Sequence, residues 1–178
     1  MKNHFATLGL IVALASPVAA QSDAFTHGPV ISGFGAVAKV DPDLALPANL
    51  DFKVVFDVKA GVPGEKNNNL DSVARFMNML GASGVPASRI HPAVVIHNKA
   101  LWDVTTDARY TAQHGVANPN TDLVRQLVAK GVPIYVCGQT LAQSNVSKSE
   151  LAPGVKVALS AMHAHAILNR QGYSLNPF

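Results

Sequence analysis

Alternating apolar and polar positions predict a β-strand near the middle of the chain. Between residues 51 and 58, apolar side chains occupy every second position, which places them on one face of a strand. The runs Ala93–His97 and Pro133–Cys137 are short and almost continuously apolar, as buried strands are. Two brief stretches, residues 155–157 and 173–175, are predicted as minor strands.

Helical spacing of apolar residues separates these strands. Apolar positions recur three or four apart between residues 70 and 80, and Asn69 is the expected N-cap of that helix. Ser147 to Glu150 has the form of a capping box, which predicts a short helix. Further helices are predicted over residues 106–114, 120–131 and 158–171.

The alternation of strand and helix favours an α/β fold with a parallel sheet and helices on both faces. The predicted domain spans residues 51–178. Residues 21–50 are rich in glycine, proline and aspartate, and we expect them to form an extended segment that lies on the domain. The sequence contains no internal repeat and no linker that suggests a second domain.

Residues 1–20 have the three-part layout of a signal peptide. Lys2 gives a basic start, Phe5–Ala15 is an apolar run, and small residues end the segment at Ala20. The alternative is a membrane anchor, but the run is far shorter than the roughly 20 residues of a spanning helix. We therefore predict cleavage after Ala20 and a protein that works in a periplasm or outside the cell.

Charge and motifs exclude several classes of function. The formal net charge is +3, and losing Lys2 with the signal peptide leaves +2, with no basic cluster for nucleic acid or an anionic membrane. No phosphate-binding loop and no nucleophile elbow occurs. His163 and His165 are two apart on a predicted helix, so they point in different directions. We expect no metal and no cofactor.

Cys137 is the single cysteine of the chain and its main chemical candidate. It cannot form an internal disulfide, so it is an inert thiol, an intermolecular partner or a reactive group. It stands where a predicted strand ends, and ligands of parallel sheets bind beyond the carboxyl ends of strands, so we expect its thiol to be reachable by solvent and by a second protein. His97 and Asn98 follow the neighbouring strand and are expected at the same edge. The backbone after Cys137, at Gly138, offers N–H groups that would favour a thiolate.

The segment from Asn118 to Gln139 resembles the DsrE/DsrF-like family, in particular its exported members. Tyr135–Gln139 is the most specific part of the resemblance, and matching stretches cover nearly all of the chain beyond the signal peptide. The family commonly has a His-Gly pair where this chain has His97 followed by Asn98, a residue that tolerates the left-handed backbone.

This resemblance implies a three-layer α/β/α fold with a mainly parallel sheet of about five strands, often assembled into homo-oligomers. It also implies sulfur relay, with sulfur carried as a persulfide on Cys137 and exchanged with a donor or acceptor protein or a small sulfur compound. We assign Cys137 as catalytic, His97 as assisting it, and Asn98, Gly138 and Gln139 as substrate-binding. The alternative is a non-catalytic ligand-binding or assembly module with the same fold.

Overall fold

The structure is a computed structural model that describes residues 24–47 and 49–176. The predicted signal peptide, residues 1–20, lies outside the described residues. Within those residues, no helix is both long and apolar enough to cross a membrane.

An antiparallel ribbon of two short strands precedes the main sheet. Strand β1 (Phe25–Thr26) pairs with β2 (Val37–Ala38), and the chain between them is bound to the first long helix by Asn78. The Oδ1 atom of Asn78 accepts hydrogen bonds from the N–H groups of Val30 and Ile31, at 2.9 and 2.7 Å. The side chain of Ile31 is fully buried, so this segment contributes to the core of the domain.

A five-stranded sheet, parallel throughout, forms the centre of the fold. Its spatial order is β6-β5-β4-β3-β7, and every neighbouring pair is parallel, which confirms the predicted fold class. The strands are β3 (Phe52–Val58), β4 (Ile90–Ile96), β5 (Ile134–Cys137), β6 (Lys156–Ala158) and β7 (Ser174–Asn176).

Helices cover the two faces of the sheet unequally. The α-helices are α1 (Asn68–Ala82), α2 (Asp107–His114), α3 (Thr121–Ala129), α4 (Gly138–Gln143) and α5 (Ala161–Arg170). Helices α1, α3 and α4 pack over the larger apolar core, whereas α5 crosses the opposite face and returns the chain to β7. Short 3-10 helices span Ala87–Arg89, Asn98–Val104 and Lys148–Glu150.

Two predicted helix starts are corrected by the structure. Helix α1 is capped by Asn67 rather than Asn69, because the side chain of Asn67 accepts hydrogen bonds from the N–H groups of Asn69 and Leu70. The last helix begins at Ala161 rather than at residue 158, since residues 156–158 complete β6 and the hydroxyl of Ser160 caps the helix. The capping box at Ser147 is confirmed, although the helix that follows it is a single 3-10 turn.

Candidate functional site

Cys137 lies where the chain segments that follow two adjacent strands lead to opposite faces of the sheet. It is the last residue of β5, next to Ala158 of the edge strand β6. After Cys137 the chain enters α4 on the larger-core face, whereas after β6 it enters α5 on the opposite face. Such a switch point leaves a crevice at the carboxyl ends of two adjacent strands, and ligands of open α/β sheets bind there.

The thiol of Cys137 is more enclosed than the sequence predicted. We expected it to be reachable by solvent, but Cys137 is only 7% exposed. The expectation is wrong because the side chain belongs to the sheet face that α5 covers, and the first residue of that helix, Ala161, brings its N–H group to the sulfur.

Hydrogen-bond donors around the sulfur favour the thiolate. Burial alone would raise the pKa of the Cys137 thiol. The hydroxyl and N–H of Thr140 and the N–H groups of Ala161 and Gln139 donate hydrogen bonds to it, and together they hold its pKa below the ordinary value. Because thiolate is the reactive form of cysteine, these donors favour nucleophilic chemistry at this position.

The predicted binding residues Asn98, Gly138 and Gln139 surround this crevice. Asn98 adopts the left-handed backbone, with φ of 51°, and its N–H donates to the Thr140 hydroxyl at 3.3 Å. A Cβ atom at Gly138 would lie 2.8 Å from the carbonyl oxygen of Ala158, so only glycine allows β6 to approach this closely. The side chain of Gln139 is exposed and donates to the backbone carbonyl of Leu159 at 3.2 Å.

His97 is bound to a carboxylate rather than to Cys137. Its Nε2 atom lies 3.1 Å from Oδ1 of Asp57, and the Nε2 atom of His165 lies 2.7 Å from the same oxygen. Asp57 is the penultimate residue of β3, and His165 is on α5. The sequence alone indicated neither Asp57 nor the role of His165, which was expected only to point in a different direction from His163.

This carboxylate with two imidazoles shares an edge and a face of the sheet with Cys137. Side chains alternate between faces along a strand, and Asp57 is two residues after Val55 while Cys137 is two residues after Tyr135. Val55 and Tyr135 both belong to the smaller apolar cluster under α5. His97 continues the extended backbone after β4, two residues beyond Val95 of the same cluster.

Asp57 stays ionised at this position. Burial alone would raise the pKa of its carboxyl. The hydrogen bonds from His165 and His97, together with the charges of these rings, lower the pKa by more than burial raises it, so the net shift is downward. A carboxylate only accepts hydrogen bonds, so the Nε2 atom of each histidine donates to Asp57, and the Nδ1 atom of each ring takes no part in this contact. The described residues contain no group of three or more side chains suited to a metal ion.

Comparisons with known proteins give one matching family and several similar structures, of which two are named below. The sequence model of the DsrE/DsrF-like family matches residues 53–177. The structure resembles that of a protein of unknown function, MTH1491, from Methanobacterium thermoautotrophicum, with a TM-score of 0.54 and 18% identity over 71% of this chain and 98% of that one. It also resembles the ychN protein from E. coli, with a TM-score of 0.51 and 14% identity over 69% of this chain and 95% of that one. None of the curated proteins matches the chain.

Proposed function

The chain belongs to the DsrE/DsrF-like family, which is associated with sulfur relay, and we propose that it carries sulfur as a persulfide on Cys137. The observation that carries this proposal is the set of donors from Thr140, Gln139 and Ala161 that lowers the pKa of a buried thiol at the switch point of the sheet.

The proposed transfer needs no net oxidation. The Cys137 thiolate attacks the outer sulfur of a persulfide donor, R–S–SH, and the S–S bond of the donor breaks. The products are Cys137–S–SH and RS⁻, which then takes up a proton. In the second transfer an acceptor thiolate attacks the outer sulfur, and Cys137 leaves as a thiolate stabilised by the same donors.

The imidazoles of His97 and His165 are the proposed proton source for the leaving thiolate. Both rings are partly exposed, with 20% and 26% of their side-chain surface accessible to solvent. Asp57 holds each ring through Nε2 and leaves Nδ1 for proton transfer. This assigns His97 an assisting role and adds Asp57 and His165 to the site.

Mass spectrometry of the intact protein tests the persulfide. We expect incubation with inorganic polysulfide to add the mass of one sulfur atom, and a thiol reductant to remove it. Cys137→Ser removes the only sulfhydryl of the chain and should abolish loading while leaving the circular dichroism spectrum unchanged. His97→Ala should slow loading without abolishing it. A folded wild-type protein that takes up no sulfur from several sulfane donors would instead favour the binding module.

A homo-oligomer is proposed as the working form. Apolar side chains are exposed on α5 and on the segments that precede and follow it in the chain: Val157, Leu159, Met162, Ile167 and Leu175. Exposed apolar surface of this kind favours association with a second copy. Light scattering should give a mass above that of one chain, and a monomer at micromolar concentration would contradict the proposal.

Export is proposed on the sequence of residues 1–20 alone. N-terminal sequencing of protein from its native host should begin at or near Gln21. Mature protein that retains Met1 would remove the argument for a periplasmic or secreted location.

A further inference from the structure

A recess of about 430 Å³ opens at the carboxyl edge of the sheet, apart from Cys137. It lies between the loop after β3 and the 3-10 helix Asn98–Val104, and α2 closes its far side. Trp102, Tyr110 and His114 form aromatic walls, and Val62 and Pro63 complete the apolar lining. The proposed sulfur chemistry uses none of these side chains.

Contacts behind the walls hold the aromatic rings in place. The Tyr110 hydroxyl accepts a hydrogen bond from the N–H of Gly64 at 2.8 Å, and its ring lies 4.6 Å from that of His114. The Trp102 ring is fixed by Arg109, whose guanidinium lies 4.8 Å from the ring centroid and pairs with Glu150 at 3.1 Å. The recess is therefore formed before any ligand arrives, which lowers the entropic cost of binding.

A buried carboxylate forms the floor of the recess. Asp103 is 2% exposed, and its two oxygens accept hydrogen bonds from the side-chain amides of Asn67 and Asn120, at 2.6 and 3.1 Å. A Cβ atom at Gly61 would collide with this carboxylate, so only glycine allows the loop after β3 to pack this closely against Asp103.

Among the described residues, no cation forms an ion pair with Asp103. Burial raises the pKa of its carboxyl to about 6, although the hydrogen bond from Asn67 acts to lower it. At neutral pH the group is mostly ionised, because the pH lies about one unit above that pKa. A positively charged ligand group that reached the floor would recover free energy that the carboxylate loses on burial.

A cation stands at the mouth of the same recess. Lys99 lines it and is exposed. Lys99 and Asp103 are four residues apart on one 3-10 helix, so their Cα atoms are separated by about 8 Å along the helix axis. The flexible lysine side chain can span most of that distance. The recess therefore presents a negative floor, a positive mouth and aromatic walls between them.

We propose that this recess binds a zwitterionic ligand of the α-amino acid class with an apolar or aromatic side chain. The ammonium group of the ligand pairs with Asp103, its carboxylate pairs with Lys99, and its side chain packs against the rings of Trp102, Tyr110 and His114. The proposal goes beyond sulfur transfer and does not depend on it.

Trp102 makes binding directly observable, because it is the only tryptophan of the chain and it lines the recess. We expect L-phenylalanine and L-methionine to give saturable changes in its fluorescence. N-acetyl-L-phenylalanine lacks the ammonium charge and L-phenylalanine methyl ester lacks the carboxylate charge. Each should bind at least roughly tenfold more weakly than L-phenylalanine, because each loses one charged hydrogen bond.

Variants distinguish ligand binding in this recess from the proposed sulfur chemistry at Cys137. Lys99→Ala should weaken the binding of L-phenylalanine roughly tenfold and leave the binding of the methyl ester unchanged. The matched surface variant Lys130→Ala should change the binding of neither compound. Cys137→Ser should bind as the wild type does, even if sulfur loading fails. Unchanged Trp102 emission up to about 10 mM of both amino acids, or equal binding of L-phenylalanine and its two derivatives, would overturn the proposal.

Discussion

Cys137 and Asp103 are two buried acidic groups at one edge of one sheet, and their pKa values shift in opposite directions. Burial favours the neutral form of both groups. Four hydrogen bonds from Thr140, Gln139 and Ala161 overcome burial at the thiol. At Asp103 two asparagine amides donate, and burial prevails.

The difference shows how the two groups acquire different chemistry from the same sheet edge. The thiol stands between the first turns of two helices, where backbone N–H groups have no partner within the helix. Asp103 lies near the end of a 3-10 helix and accepts hydrogen bonds from the side-chain amides of two asparagines. These amides also donate to the backbone carbonyls of Ala60 and Glu65. Backbone donors that are otherwise unpaired favour the thiolate at Cys137, whereas the two side-chain donors at Asp103 do not outweigh its burial.

The largest expected effect is the pH dependence that Asp103 gives to the free energy of unfolding. Because its folded pKa is about 6 and its ordinary value is 3.8, the folded state retains a proton that the unfolded state has lost between those pH values. The contribution of Asp103 to the free energy of unfolding therefore falls as pH rises from 4 to 6, by about 3 kcal/mol at most. Asp103→Asn carries no such charge, so its stability relative to the wild type should improve over that range.

Urea unfolding of both proteins at several pH values between 4 and 7 measures this difference. A stability difference that stays constant with pH would mean that Asp103 acts only as a hydrogen-bond acceptor for Asn67 and Asn120.

A smaller effect is expected from Thr140→Val, which keeps the shape of the side chain and removes its hydroxyl. A hydrogen bond to a charged group contributes about 1.5 to 3 kcal/mol, so the pKa of Cys137 should rise and alkylation at neutral pH should slow. Thr140→Ser retains the hydroxyl and is the matched control. The pH dependence of iodoacetamide modification measures the change. Identical profiles for the valine variant and the wild type would show that backbone N–H groups alone favour the thiolate.

The smallest expected effect is a pKa shift at Asp57. Its hydrogen-bond donors are partly exposed histidine side chains, whereas those of Cys137 are mainly backbone N–H groups. Removing one imidazole with His165→Gln should raise the pKa of the Asp57 carboxyl, because His165 is its largest favourable partner. His163→Gln is the matched control on the same helix, since His163 makes no contact with Asp57 among the described residues. Carbon-13 NMR titration of the carboxyl resolves the shift. An equal shift in both variants would mean that the effect is general electrostatics rather than the hydrogen bond.

The sheet and the position of Cys137 could be predicted because both depend on local patterns. Alternation between residues 51 and 58 and short apolar runs mark the strands, and parallel strands bring their carboxyl ends to one edge. The enclosure of Cys137 could not be predicted in this way. It depends on where α5 begins, which is set by the pairing of the preceding strand β6 with β5, a contact between separate segments of the chain.

The polar clusters were missed for the same physical reason. Asp57 and His165 are 108 residues apart in the chain, and Asn67, Asp103 and Asn120 come from three separate segments. Each of these residues is unremarkable in its own segment, so local periodicity carries no sign of the contact. The one available signal was that Asp57 is an acidic residue near the carboxyl end of a predicted strand, the edge at which ligands of parallel sheets bind.

The enclosure of Cys137 also has a consequence for regioselectivity. A disulfide between two proteins requires Cα atoms within about 4.4 to 6.8 Å, which β6 and the first turn of α5 obstruct at Cys137. A persulfide extends outward by one S–S bond of about 2.05 Å, so its outer sulfur lies nearer to the surface while the inner sulfur stays sheltered. An attacking thiolate then meets the outer atom first. In the proposed transfer, this enclosure favours passing a sulfur atom on over cross-linking the chain to its partner.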